Sequence, residues 1–176
     1  MPRKTTRQYN FIAKVFHWLS ALTVFTLFAV GYWMVDLTYY SEWYKIAPHW
    51  HKSIGFILFI ITLFRLIWKA VTPAPEIEGL AWEKLGAKVV HKLLYLLLFA
   101  IFISGYMIST ADGRSIDIFN LFSIPGLGSI MSNQEDIAGE VHFYLTYSLI
   151  GLAILHALAA LKHHFINKDN TLKKMI

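Results

Sequence analysis

The chain has 176 residues, 56% of them hydrophobic and only 15% charged, with a mean hydropathy of +0.49. Soluble domains carry about 25% charged residues, so an ordinary water-soluble core is excluded. There is no cysteine, which rules out disulfides, c-type haem attachment and cysteine-bound iron–sulfur clusters.

The apolar residues are gathered into four long runs. The first, WLSALTVFTLFAVGYWMV at 18–35, carries no charge. It exceeds the 7–15 residues of a signal-peptide core and predicts a retained helix. The second, SIGFILFIITLFRLIWKA at 53–70, holds Arg65 and Lys69 near its end, where long side chains reach the headgroups. TPAPEIEG at 72–79 follows as a linker, its prolines ending the span. The third run, LLYLLLFAIFISGYMISTA at 93–111, and the fourth, at 141–161, are again uncharged. A helix needs ~20 apolar residues to cross a bilayer. We therefore predict spans over 15–36, 51–71, 89–111 and 140–162, forming one all-α, four-helix integral membrane domain over residues 1–176. The connecting segment 112–139, with SIPGLGS and several acids, is expected to fold over the outer helix ends.

Orientation follows from lysine and arginine. Arg3, Lys4, Arg7, Lys14, Arg65, Lys69, Lys84, Lys88, Lys92, Lys162, Lys168, Lys173 and Lys174 fall on one side, against Lys45, Lys52 and Arg114 on the other. Thirteen against three predicts both termini in the cytoplasm. The net charge of +5 is then a topology signal and no sign of a nucleic-acid partner. Trp18, Trp33, Trp43, Trp50, Trp68 and Trp82 lie near the predicted interfaces, as aromatic belts do.

An ionisable group inside a bilayer is costly and points to function. Span four contains His142 and His156. Their 14-residue interval falls about 40° short of four turns, so they share a face, ~21 Å apart along the axis. They cannot bind one atom, and each needs a partner at its own depth. His17 matches the depth of His156 near the inner surface, and His51 matches His142 near the outer one. Two neutral imidazoles on facing helices suit the axial positions of haem iron. Gly31, Gly55, Gly105 and Gly151 put one glycine in each span, for approach of a porphyrin or for helix packing.

FHWLSA at 16–21, HKSIG at 51–55, VHKLLYLLL at 90–98, SGYMISTADG at 104–113, VHFYLTYSLIGLAILH at 141–156 and LKHHFINKDNTLKKM at 161–175 together resemble the prokaryotic di-haem cytochrome b561 family. The resemblance covers nearly the whole chain. It implies His17 and His156 as axial ligands of a cytoplasmic-side haem b, and His51 and His142 as those of a periplasmic-side haem b. It further implies electron transfer between the quinone pool, ubiquinone or menaquinone, and a periplasmic redox partner of unknown identity. One branch of the family looks like a superoxide oxidase. Superoxide is an anion and favours a basic surface. Segment 111–140 instead holds Asp112, Asp117, Glu135, Asp136 and Glu140 against Arg114, a net −4.

Lys52 and Arg114 stand near the outer haem as candidates for propionate contact. Arg65 and Lys69 are similarly placed for the inner haem, or simply snorkel. His91 is open to three roles: a ligand instead of His17, a hydrogen bond to quinone, or a pairing with a carbonyl or headgroup. His163, seven residues past His156, is a candidate for quinone binding or proton uptake, or a cation at a helix C-terminus. His49, expected in the loop, competes with His51 as a ligand. His164 points elsewhere. Two other functions compete: a haem-bearing anchor subunit of a dehydrogenase or reductase, and a histidine-lined metal or proton transporter. The absence of intramembrane carboxylates weighs against the transporter.

Overall fold

The computed structural model describes residues 8–176; Arg3, Lys4 and Arg7 of the charge count lie outside them. Helix α1 (Phe11–Met34) starts where the Asn10 side chain accepts a hydrogen bond from the Ala13 N–H at 2.8 Å, an N-cap that satisfies one of the first free donors. Helix α2 (Trp43–Val71) stops at Thr72, which is extended because Pro73 disfavours a helical conformation before it. Helix α3 (Ala81–Thr110) begins with the Glu83 carboxylate accepting the Leu80 N–H at 2.8 Å. Helix α4 (Gln134–Phe165) follows Asn133 in the left-handed region and carries Lys162, His163 and His164 in its last turn, where the Lys162 charge favours the negative pole of the helix dipole.

All four helices are long and apolar enough to cross a membrane. They outrun the predicted spans, α2 and α3 by eight residues and α4 by six at their starts. Hydropathy registers only the uninterrupted apolar runs, whereas the helices continue through charged, aromatic and imidazole residues such as Lys45 and His49 in α2 and Glu135 and Asp136 in α4. His49 is therefore inside α2 and not in a loop. Two residues turn a helix by about 200°, so His49 and His51 face opposite ways.

The bundle is apolar outside. Leu22, Leu96, Ile103 and Leu155 are each 60% or more exposed, an arrangement suited to lipid and not to water. α1 packs along α2, and α3 along α4, with lighter contact between the two pairs. The centre is a buried layer of Leu27, Leu58, Leu98 and Leu149, one from each helix.

A short hairpin, β1 (Ile116–Ile118) and β2 (Phe122–Ile124), departs from the all-α pattern. Its turn residues Phe119 and Asn120 both have positive φ, which matches the twist of a tight hairpin. Ile116 and Ile118 are buried, and the Phe119 N–H donates to Ser53 Oγ at 3.1 Å. The segment thus folds over the end of α2, as expected. We call this end of the bundle distal. At the opposite, proximal end the C-terminal segment closes on the start of α1. Trp18 Nε1 donates to the Met175 carbonyl at 2.9 Å, and the Tyr9 N–H to the Lys174 carbonyl at 3.2 Å.

Candidate functional site

The helices share one ruler. His17 and Gly31 on α1, His51 and Arg65 on α2, His91 and Gly105 on α3, and His142 and His156 on α4 are all 14 residues apart. Because neighbouring helices run in opposite directions, these positions meet in two layers. Leu58, Leu98 and Leu149 lie midway in their helices, ~10.5 Å from each layer.

The distal layer holds His51, His142, Gly31 and Gly105. A Cβ added at Gly31 would come within 3.1 Å of His51 Cε1, and one at Gly105 within 3.3 Å of His142 Cε1. A side chain at either position would press on the imidazole, which would have to give by a few tenths of an ångström. Ser104 Oγ lies 2.9 Å from His142 Nδ1 and donates its proton to the Ile101 carbonyl at 3.0 Å. A hydroxyl has one proton, so towards His142 it accepts. With the serine proton on the Ile101 carbonyl, His142 carries its own proton on Nδ1 and leaves the Nε2 lone pair available. His51 Nδ1 is buried without a hydrogen-bond partner.

The proximal layer holds three rings and a guanidinium. His17 and His156 lie with ring centroids 6.2 Å apart, and His91 and His156 5.2 Å apart. Arg65 reaches His17 Nδ1 at 3.3 Å. His91 therefore joins the cluster rather than a headgroup. Among the described residues the three rings do not converge as a three-ligand set for a single ion.

Beyond this layer, His163 continues the α4 face. Its Nδ1 is 2.5 Å from Asp169 Oδ2 and its Nε2 is 4.0 Å from Glu83 Oε1, while Lys162 Nζ pairs with Glu83 Oε1 at 2.5 Å. Burial alone would raise the Asp169 carboxyl, but hydrogen bonds from His163 and the Thr171 backbone hold it below its ordinary range. Gly79 sits tightly against this group. Its φ is +104°, and an added Cβ would meet His163 Cε1 at 3.0 Å, so glycine is required on both counts. An open cleft of about 500 Å³ adjoins it, lined by Gly79, Leu80, Trp82, Glu83, Lys162, Asn167 and Asp169. Ser104, Glu83 and Asp169 carried no signal of their own in the sequence. The 14-residue interval repeated in all four helices was a usable signal that the histidine spacing of α4 alone did not exploit.

The sequence model of the prokaryotic cytochrome b561 family matches residues 8–176. The chain is 47% identical to cytochrome b561 homolog 2 of Escherichia coli K12, over 98% of this chain and 93% of the relative. It is 30% identical to a Yersinia pestis protein named probable superoxide oxidase CybB, over 97% and 96%, and 28% identical to E. coli cytochrome b561 homolog 1, over 91% and 92%.

The chain belongs to the prokaryotic cytochrome b561 family.

As a member of the cytochrome b561 family it is a multi-pass bacterial membrane protein of electron transport that binds b-type haem. The distal layer fits such a group: two imidazoles on facing helices, two glycine clearings, one ring with its free nitrogen assigned, and another with a buried nitrogen unsatisfied. A bond of ~2 Å from a metal to each imidazole nitrogen puts two rings on opposite sides of one ion with centroids about 6 Å apart. In the proximal layer the His17–His156 separation of 6.2 Å matches that scale better than the 5.2 Å of His91–His156. Lys52 adjoins His51 half-buried, and it is in none of the ion pairs among the described residues. Arg114 is engaged instead by Asp112, with its side chain 86% exposed.

Proposed function

We propose that this cytochrome b561 is a di-haem protein carrying electrons across the bacterial inner membrane between the quinone pool and a periplasmic partner. The observation that carries the reading is the pairing of histidines in two layers, set by one 14-residue interval. In this reading His17 and His156 hold one haem b and His51 and His142 the other, and the whole chain acts as one membrane domain. The proximal end, with both termini, faces the cytoplasm, as the thirteen-to-three distribution of Lys and Arg supports.

Haem supplies the one-electron chemistry when bound; the protein sets orientation, burial and hydrogen bonding. Ser104 keeps the His142 proton on Nδ1, which orients the ring and raises its basicity as a ligand. Lys52 is the distal cation best able to meet a propionate. Arg114 would have to give up Asp112 to do so.

Quinone, ubiquinone or menaquinone, is assigned to the proximal end. A quinol giving up two electrons also gives up two protons. His163, hydrogen-bonded to Asp169 and facing Glu83, is the group to take one of them. His91, against His156, is a second candidate for a quinone or proton role.

The Yersinia relative's name suggests superoxide as a distal substrate. Against it stand the net −4 of segment 111–140 and the pairing of Arg114 with Asp112. We therefore leave superoxide outside the proposal.

Purified protein should be red, carry two b haems per chain by pyridine haemochrome, and have them reduced by a quinol without any other subunit. Protein that binds haem but needs a partner subunit for quinol-linked reduction would turn the reading into that of an anchor. Colourless protein after haem supplementation, with metal uptake into vesicles, would revive a transporter.

A further inference from the structure

Arg65 brings a permanent charge to the depth of the proximal layer. It is the α2 counterpart of His51, 14 residues on, and it lies half-buried against His17 Nδ1 at 3.3 Å and 5.7 Å from the Tyr95 ring centroid. Lys69, one turn further along and exposed, lies 5.3 Å from the same ring. No carboxylate pairs with either cation among the described residues. Of the proximal acids, Glu78, Glu83 and Asp169 are engaged by Lys174, Lys162 and His163, and Glu76 is exposed on the linker after α2 and forms no ion pair with Arg65 or Lys69. Residues 1–7 contain no acid.

The contact with His17 cannot be Arg65's final partner. Guanidinium only donates, so the contact makes His17 Nδ1 an acceptor. An imidazole bound to a metal through Nε2 carries its proton on Nδ1, and it would then meet Arg65 donor to donor. Arg65 must turn to another acceptor when the layer is filled, and no carboxylate of the described residues stands within ion-pair distance of it. An unpaired charge at this depth is costly.

We propose that Arg65 binds a propionate carboxylate of the proximal haem, so that the cofactor brings the counter-ion that the protein lacks. This rests on the haem reading above. At the matching α2 position the distal layer has His51 and no arginine, and its nearest cation is Lys52, one residue on. Arg65 is thus a cofactor-binding residue of one layer only. Lys69, at the rim, adds charge without direct contact.

The test uses full-length protein from haem-limited cells, titrated with haem and with haem dimethyl ester, whose propionates are neutral. A charge-assisted pair is worth enough to change affinity about ten-fold or more. Arg65→Gln should therefore weaken haem at one of the two sites by about ten-fold and leave ester binding unchanged. Arg65→Lys should recover part of the loss. Equal weakening of haem and ester, or no weakening of either, overturns the proposal. An adjacent lipid phosphate as the true partner would show as no preference for haem over ester in the unsubstituted protein, which also overturns it. Failure of the unsubstituted protein to take up two haems would instead count against the di-haem reading itself.

Discussion

The two histidine layers are built to one interval and filled differently. The distal layer spends two of its four positions on glycine, and backbone approaches His51 and His142 directly. The proximal layer has no glycine and sets His91 and Arg65 beside His17 and His156, and a chain of polar groups continues from it through His163 to Asp169 and Glu83. The difference teaches that the 14-residue ruler sets depth and facing, whereas the residues beside the ligands set what each layer exchanges. One layer is enclosed beneath a hairpin; the other is charged and leads to a cleft that opens at the proximal surface.

The comparison breaks most visibly if the glycine clearings are filled. Gly31→Leu and Gly105→Leu drive a side chain into His51 and His142, whose Cε1 atoms already lie 3.1 and 3.3 Å from an added Cβ. Each should reduce haem content from two per chain to one, read by pyridine haemochrome, with the distal haem lost and the proximal one kept. Leucine at the same positions leaving both haems would show that the clearings serve only helix packing.

Next in size is the proximal relay. His163→Gln should slow quinol-linked haem reduction by about 10² with two haems retained, as followed by stopped-flow absorbance. Asp169→Asn should act in the same direction. If both rates are unchanged, quinol protons leave by another route.

A smaller effect is expected of Ser104→Ala. It removes the acceptor of His142 Nδ1 and should weaken haem affinity about ten-fold at the distal site alone. A titration in which the proximal site weakens too would contradict the separation of the layers.

The smallest is a pH effect on the C-terminal strap. The Asp169 carboxyl is held below its unfolded range, so the unfolded segment binds more protons. Its contribution is fully present above the unfolded value, ~3.9, and is lost as pH falls through the lower folded value. Protection of amides 166–171 against hydrogen exchange should fall over that window. Asp169→Asn should reduce the pH dependence, leaving the part carried by Glu78, which accepts the Asn170 N–H.

The membrane helices were legible because burial in lipid demands long uncharged runs, and those runs are visible without any partner. The helix starts were not, because Trp43–Trp50 and Gln134–Glu140 are helical outside the hydrocarbon, where hydropathy is silent. The convergence of His17 with His156 followed from depth alone, and the structure brings these rings together. His91 stayed open among three roles in the sequence because depth does not reveal which way a helix face turns. Its place against His156 depends on how α3 packs on α4. Arg114 lay at the expected end of the bundle, but the turn at Gly113 hands it to Asp112, a local choice that spacing does not encode. Ser104 looked like any helical serine, and only the packing of α3 on α4 brings it to His142 Nδ1.

The central claim is that four histidines form two separate pairs, with His91 outside both. Haem counting and potentiometric titration of single substitutions at His17, His51, His91, His142 and His156 test it directly. The account predicts one haem lost in each variant except His91→Leu, with the same midpoint vanishing for His17 and His156, and the other for His51 and His142. A His91 variant that loses a haem while the His17 variant keeps both, or a His142 or His156 variant that keeps both, would contradict it.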